Sequence, residues 1–210
     1  MKTRLRLLMP ALLATIIVFA APLQLRAERF YVAGAPESDT VRFESQAKLE
    51  FIEGTTHSIV GYLDFVPANP AFPVSGKLRV DAASLKTGID LRDEHMRERH
   101  LQTNEYPFVE FELQSVVGLP AVMTPGTSFP IEVSGQFTVH GVTKAIKAKA
   151  TATVTTGADG KPMLAVTARF PIKLDDYGVP RPKALFLKLA ETLDITVTFV
   201  ASPANPKVEL

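Results

Sequence analysis

The 210-residue chain contains no cysteine, which excludes disulfides, thiol nucleophiles and thiolate metal sites together. Stability must then come from burial and backbone pairing. There is no G-x-S-x-G segment to hold a serine nucleophile on a strained turn, and no glycine-rich loop to cradle a phosphate. Repeats and low-complexity tracts are absent. Histidines number four. His95 and His100 lie five apart, which on an α-helix sets them roughly 140° apart, too far round for a two-histidine metal clamp. His57 and His140 sit at strand ends beside Thr or Gly, where solvated or turn-bonding histidines are common. Most carboxylates fall on wet strand faces or in one charged segment, with no sequence reason for a shifted pKa. No metal, no cofactor and no catalytic residue is expected.

Charge gives a second exclusion. Lys2, Arg4 and Arg6 precede an almost wholly apolar run at 7–21, and Ala27 follows with a small side chain. This is the layout of a secretory signal peptide over residues 1–27, with residues 28–210 as the mature domain. The run is shorter than the roughly 20 residues a spanning helix needs, and Pro10 interrupts it. An uncleaved N-terminal anchor is the rival reading. Cleavage is bracketed between Ala20 and Ala27, and no cysteine follows to carry a lipoprotein anchor. Export to the periplasm is therefore expected, without stable membrane insertion after cleavage. Residues 1–27 hold four basic side chains and no acid, leaving 19 basic against 22 acidic residues and a net charge of −3. A slightly acidic chain without a basic cluster gives no footprint for nucleic acid.

Period-two alternation dominates what remains. Val41, Phe43, Ala47 and Leu49 alternate with Arg42, Glu44, Gln46 and Lys48; Leu78 and Val80 with Lys77 and Arg79; Val109, Phe111 and Leu113 with Glu110, Glu112 and Gln114. The pattern recurs at 131–139, 146–153, 164–170 and 193–199, with a less regular strand at 58–66. Successive strand side chains point to opposite faces, so each segment has one dry face and one wet one. That is the signature of antiparallel sheets, since parallel strands buried on both faces read as continuous apolar runs. Glycines 157 and 160 bracket a hairpin turn; longer loops are marked at 67–73, 118–130 and 177–182. About eight amphipathic strands can form a sandwich or close into a barrel, and periodicity does not separate the two.

One segment breaks this rhythm. Residues 89–101 are rich in helix formers and charge and predict a short surface helix, because Leu91, Met96 and Leu101 do not share an α-helical stripe. Residues 183–190 fit a helix or an edge strand equally. The dry faces mix small residues (Gly61, Gly76, Gly135, Ala148, Ala168) with large ones (Phe43, Phe65, Phe111, Phe137, Phe170). Such a mixture suits either a packed barrel or one with room for an apolar ligand.

Particular strings then narrow the choice. Arg92-Asp93-Glu94-His95-Met96, followed by Leu101 and by Tyr106-Pro107-Phe108-Val109-Glu110-Phe111, resembles the R-D-x-H-M…L…Y-P-x-[IV]-x-F signature of the YceI-like family. Residues 135–144, GQFTVHGVTK, are similar to that family's second hallmark, and Asp176-Tyr177-Gly178-Val179 to its D-[FY]-G-[IV] segment. The resemblance spans essentially the whole mature chain. It implies an all-β fold, an eight-stranded antiparallel lipocalin-like barrel with a short helix beside it. It also implies an elongated cavity for a long-chain isoprenoid, isoprenoid quinone or fatty-acyl lipid, which the protein would carry, store or scavenge.

Carried onto this chain, Phe43, Leu63, Phe65, Leu78 and Val80 would line the cavity from the early strands. Phe111, Phe137, Val139, Val166 and Phe170 would line it from the middle ones, and Ile195 and Val197 from the last, with Tyr177 nearby. Met96 and His95 would lie on the covering helix, and Arg92, His95 and Arg99 would be the polar groups offered to a head group. The competing readings are a barrel filled by its own side chains, acting as an interaction module, and an enzyme using His95 with Asp93. Monomer and homodimer are both open.

Overall fold

The alternating segments pair into one antiparallel sheet in the computed structural model, which describes residues 27–46, 50–66, 73–181 and 189–204. Its strands are β1 (Glu28–Val32), β2 (Thr40–Gln46), β3 (Phe51–Thr56), β4 (Ile59–Phe65), β5 (Ser75–Asp81), β6 (Phe108–Val117), β7 (Ser128–Val139), β8 (Val142–Thr156), β9 (Pro162–Lys173) and β10 (Thr192–Ser202). From β4 to β10 each strand pairs with its neighbour in sequence. The ring closes because β10 pairs with β2 over one part of its length and with β1 over another. β1 pairs with β4 and β2 with β3, so β1–β2 and β3–β4 each act as one broken strand. Eight staves result, and the architecture is a closed barrel rather than a sandwich. Closure removes the exposed edges that a sheet of this length would otherwise present.

The alternation predicts most of these strands in phase, but not all. β3 was not anticipated because its inward positions are Ile52, Gly54 and Thr56, so polar and small residues hide the period. β1 is only five residues long, too short to carry a pattern, although Phe30 and Val32 are among the most deeply buried side chains. Ala47 and Leu49, most of the 67–73 loop, residues 183–188 and the apolar leader lie outside the described residues.

Turn chemistry sets the register. His140 and Gly141 both take left-handed backbone angles, φ 50° and 72°, and join Val139 to Val142 across a two-residue turn. Turns with φ > 0 at both central positions match the twist of paired strands. At the other end of β8, Gly157–Lys161 and Gly160–Gly157 backbone hydrogen bonds close the expected hairpin.

The break between β1 and β2 is held by Asp39, which is 1% exposed. Its carboxylate accepts from the N–H groups of Ala35 and Val200 and from the Ser38 hydroxyl, each at 2.9 Å. A carboxylate this deep survives only with such partners. It ties the first stave to the last at the seam where the barrel closes.

Among the described residues, a 3₁₀ turn (Ala82–Ser84) and one longer helix lie between β5 and β6. Asp90–His95 is α-helical and Met96–His100 continues it as a π-helix, with the Leu101 N–H bonded to the Met96 carbonyl at 2.8 Å. Among the described residues no helix is long and apolar enough to cross a membrane.

Candidate functional site

The inward side chains do not fill the barrel. Two apolar clusters stack along it. One, around Phe30, Leu113, Phe129, Val154 and Phe199, sits at the end away from the helix; the other, around Phe137, Phe170, Ile172 and Leu193, sits at the helix end. Between and through them runs a cavity of about 650 Å³, within the range of small-molecule sites. Leu78, Phe111, Val133 and Val197 face inward from mid-strand and yet remain only partly buried, because they border empty space.

Close packing of rings onto the wall helps keep that space open. Phe43 lies over Gly54, directly opposite in register, so closely that a Cβ there would fall 2.2 Å from the ring. Phe111 lies likewise against Gly135, where a Cβ would meet its Cζ at 2.7 Å. Glycine lets each ring lie along the wall instead of projecting across the lumen.

Of the residues anticipated from the sequence, Phe43, Leu63, Phe65, Leu78, Val80, Phe111, Phe137, Val139, Val166, Phe170, Ile195 and Val197 all stand on this wall, joined by Arg92, His95 and Met96 of the helix. Two do not. Arg99 is exposed and off the wall, because it falls on the solvent side of the π-turn. Tyr177 is buried at 3% exposure but stands behind the wall, edge-on to Phe137 with ring centroids 5.8 Å apart. Burial, with Asp176 adding to it, pushes the Tyr177 phenol above its ordinary value.

His100 corrects the opposite expectation. It lines the cavity together with His95, although five residues separate them. The π-helix hydrogen bond spans five residues instead of four, so positions that an α-helix would spread apart come round to one face. The same winding brings Leu101 round to the cavity side with Met96, and Leu91, on the α-helical turn before them, lines the cavity as well. Sequence reasoning places Met96 on the cavity but, by assuming an α-helical period throughout, misses His100, Leu91 and Leu101; for His100 and Leu101 the spacing by five was the available signal.

Arg92, Asp93 and His100 at this end are already engaged. Arg92 donates from Nη1 to Glu50 Oε1 at 3.1 Å, from Nε to Thr87 Oγ1 at 2.8 Å and from Nη2 to the Thr87 carbonyl at 2.9 Å. Asp93, 2% exposed, accepts from the N–H and hydroxyl of Thr87 rather than from His95, so the pair considered for acid–base work is not assembled. His100 Nδ1–H donates to the Pro180 carbonyl at 2.6 Å. Among the described residues no group of three or more His, Asp or Glu side chains is placed to hold a metal.

The three sequence hallmarks meet here. Gln102, just past the helix, accepts from His140 Nε2 at 2.6 Å, and Tyr106 packs against His140, the rings tilted by 57° with centroids 4.5 Å apart. Tyr106 also occupies the space a side chain at Gly141 would need. Gly178, at φ 64°, ends the Leu174–Tyr177 turn and sets Tyr177 beneath Phe137. The strings thus encode the joints between the helix, the β7–β8 turn and the β9–β10 connection.

Known proteins agree with this geometry. The family model described as the YceI-like domain matches residues 33–201. The chain belongs to the YceI-like family. A UPF0312 protein of Pseudomonas syringae pv. tomato is 32% identical to it over 157 residues, 71% of this chain and 72% of that one. Among solved structures, a polyisoprenoid binding domain from Saccharophagus degradans, described as implicated in plant cell wall breakdown, superposes with TM-score 0.65 at 18% identity. It covers 82% of this chain and 97% of its own. BcnA of Burkholderia cenocepacia gives TM-score 0.63 at 18% identity, covering 81% and 99%. A Campylobacter jejuni YceI protein gives 0.61 at 19%, covering 76% and 90%. At these identities the solved structures share the fold with this YceI-like chain.

Proposed function

We propose that this YceI-like protein is an exported periplasmic binding protein that encloses one long apolar lipid, of polyisoprenoid, isoprenoid-quinone or fatty-acyl type, without chemistry on it. The observation that carries the reading is the hollow apolar interior, with Leu78, Phe111, Val133 and Val197 half-buried around open space at mid-barrel. An apolar chain in water costs about 0.8 kcal/mol per CH₂, and a dry wall relieves that cost without needing hydrogen bonds along its length. Arg92 and His95 at the mouth stand where a head group would emerge. The Saccharophagus degradans neighbour supports the polyisoprenoid class, and the charged, then apolar, then small-residue leader supports export.

Native mass spectrometry of the protein purified from the cells that make it, followed by organic extraction, tests the binding reading. One prenyl or acyl lipid per chain is expected. A protein that is empty, and that also refuses added prenyl lipids, overturns the reading. N-terminal sequencing of the periplasmic fraction tests export, with cleavage expected between Ala20 and Ala27.

A further inference from the structure

Two large apolar side chains at the helix end belong to two surfaces at once. Ile89 and Leu91 line the cavity, yet they are 52% and 61% exposed. Phe51, 55% exposed, begins β3 at the same end of the barrel, its side chain turned outward between the cavity-lining Glu50 and Ile52. β3 runs antiparallel to the segment before the helix, bridged near its far end at Thr55–Lys86. The Glu50–Arg92 ion pair at 3.1 Å then holds residue 50 against the helix. From this rim Leu91, Met96 and Leu101 step inward along the cavity at intervals of five, exposed at the first position and half-buried at the next two. One apolar track therefore leads from solvent into the barrel.

Scattered exposed apolar residues are ordinary; a cluster continuous with an apolar cavity is not. The charges around it carry no strong surplus of one sign, since Glu50, Asp90, Asp93, Glu94 and Glu98 stand against Lys86, Arg92, Arg97 and Arg99. The rim is thus suited to an apolar phase reached through a neutral surface rather than to a polyanion.

We propose that the Phe51–Ile89–Leu91 rim docks on the surface of a lipid bilayer, so that an apolar chain passes between bilayer and cavity without crossing water. The proposal rests on the lipid reading of the cavity. Its physical reason is the transfer cost itself: a chain leaving through solvent must expose its whole length, about 25 cal/mol per Å². A rim buried shallowly among the head groups removes that exposure, as interfacial apolar faces do.

The chain has no tryptophan, so Phe51→Trp supplies a single reporter at an exposed position off the cavity wall. The protein purified from the cells that make it is mixed with phosphatidylcholine vesicles, with and without phosphatidylglycerol; all variants share one N-terminus, so its contribution cancels. Expected are a blue shift of Phe51→Trp emission with both vesicle types and co-sedimentation of the wild type with both. Phe51→Ser should partition about five-fold less. Uptake of a fluorescent prenol from vesicles should speed up with vesicle concentration and slow in Phe51→Ser, while equilibrium uptake of the same probe from ethanol stays unchanged. Emission that does not shift, sedimentation only with phosphatidylglycerol, or uptake indifferent to vesicle concentration would overturn the proposal. So would a wild-type dimer that Phe51→Ser dissociates. A wild type that sediments with vesicles but takes no probe from ethanol overturns the lipid reading of the cavity and leaves the docking surface supported.

Discussion

Asp39 holds the barrel shut through two backbone N–H groups and one hydroxyl. Replacing it by alanine strands three donors at the seam, and each buried donor left without a partner costs about 1–3 kcal/mol. Asp39→Ala should therefore lower unfolding free energy by about 3 kcal/mol in urea titrations, with Asp39→Asn recovering part of that because one acceptor oxygen remains. A loss below about 1 kcal/mol would mean that water replaces the carboxylate and that the seam is not dry. Gly54 acts on the lumen instead of the seam. Because a Cβ there would lie 2.2 Å from the Phe43 ring, Gly54→Ala must swing that ring off the wall and into the cavity. Overpacking of this kind costs about 1–3 kcal/mol, reduced here by the empty space the ring can enter. The expected outcome is a modest fall in the urea midpoint together with a clear loss of prenol uptake. A fall in stability with uptake intact would show that Phe43 moves elsewhere.

The elements were legible to the extent that their inward residues are apolar. β6, β7, β9 and β10 alternate cleanly, so their dry faces and wall residues follow from the sequence. β3 does not, since Gly54 and Thr56 occupy its inward positions, and the helix was misread in phase because a π-turn is set by local hydrogen bonding that composition does not reveal. The hallmark strings marked the mouth before its geometry explained why. Arg92 and Asp93 both grip Thr87, His140-Gly141 makes a two-residue turn, and Tyr106 fills the space above Gly141. On the outer face the strands carry charge instead. Burial pushes the Glu110 carboxyl up, but Lys77 at 2.9 Å and Arg79 at 3.2 Å outweigh it and hold it below its ordinary value. A carboxyl lowered on folding adds stability above its unfolded value near 4.5, and that stability is lost as pH falls through the lower folded value. Glu110→Gln should thus cost about 0.5 kcal/mol at pH 7, the scale of a partly exposed pair. Its unfolding curve should converge on the wild type's as acid protonates the folded carboxyl, and a gap that persists after that titration is complete would assign the loss to packing rather than to charge.

At the scale of the whole molecule, closure and hollowness are separate properties, and the sequence speaks to them unequally. Closure is implied by the hallmark strings, since eight amphipathic strands alone fit a sandwich equally, and it is made by the seam between the first and last staves. Hollowness depends on which large side chains lie along the wall and which cross the lumen, a choice made by pairs such as Phe43 with Gly54 that only the register reveals. The resulting cavity is long. β8 alone, with 15 residues, runs about 50 Å along the strand, and the cavity touches both apolar clusters. Ala168 marks the waist: it is half-buried, lines the cavity and packs against the clusters on either side. A large ring there would divide the tube in two. Ala168→Phe should therefore keep binding a short prenyl chain that fits the helix end and lose a long one that must pass the waist, by on the order of ten-fold or more in affinity. Native mass spectrometry with a series of prenols of increasing length reads this directly. Uniform weakening across the series would mean that ligand occupies only one end of the barrel. Undiminished binding of the longest prenol would place the chain outside the waist altogether.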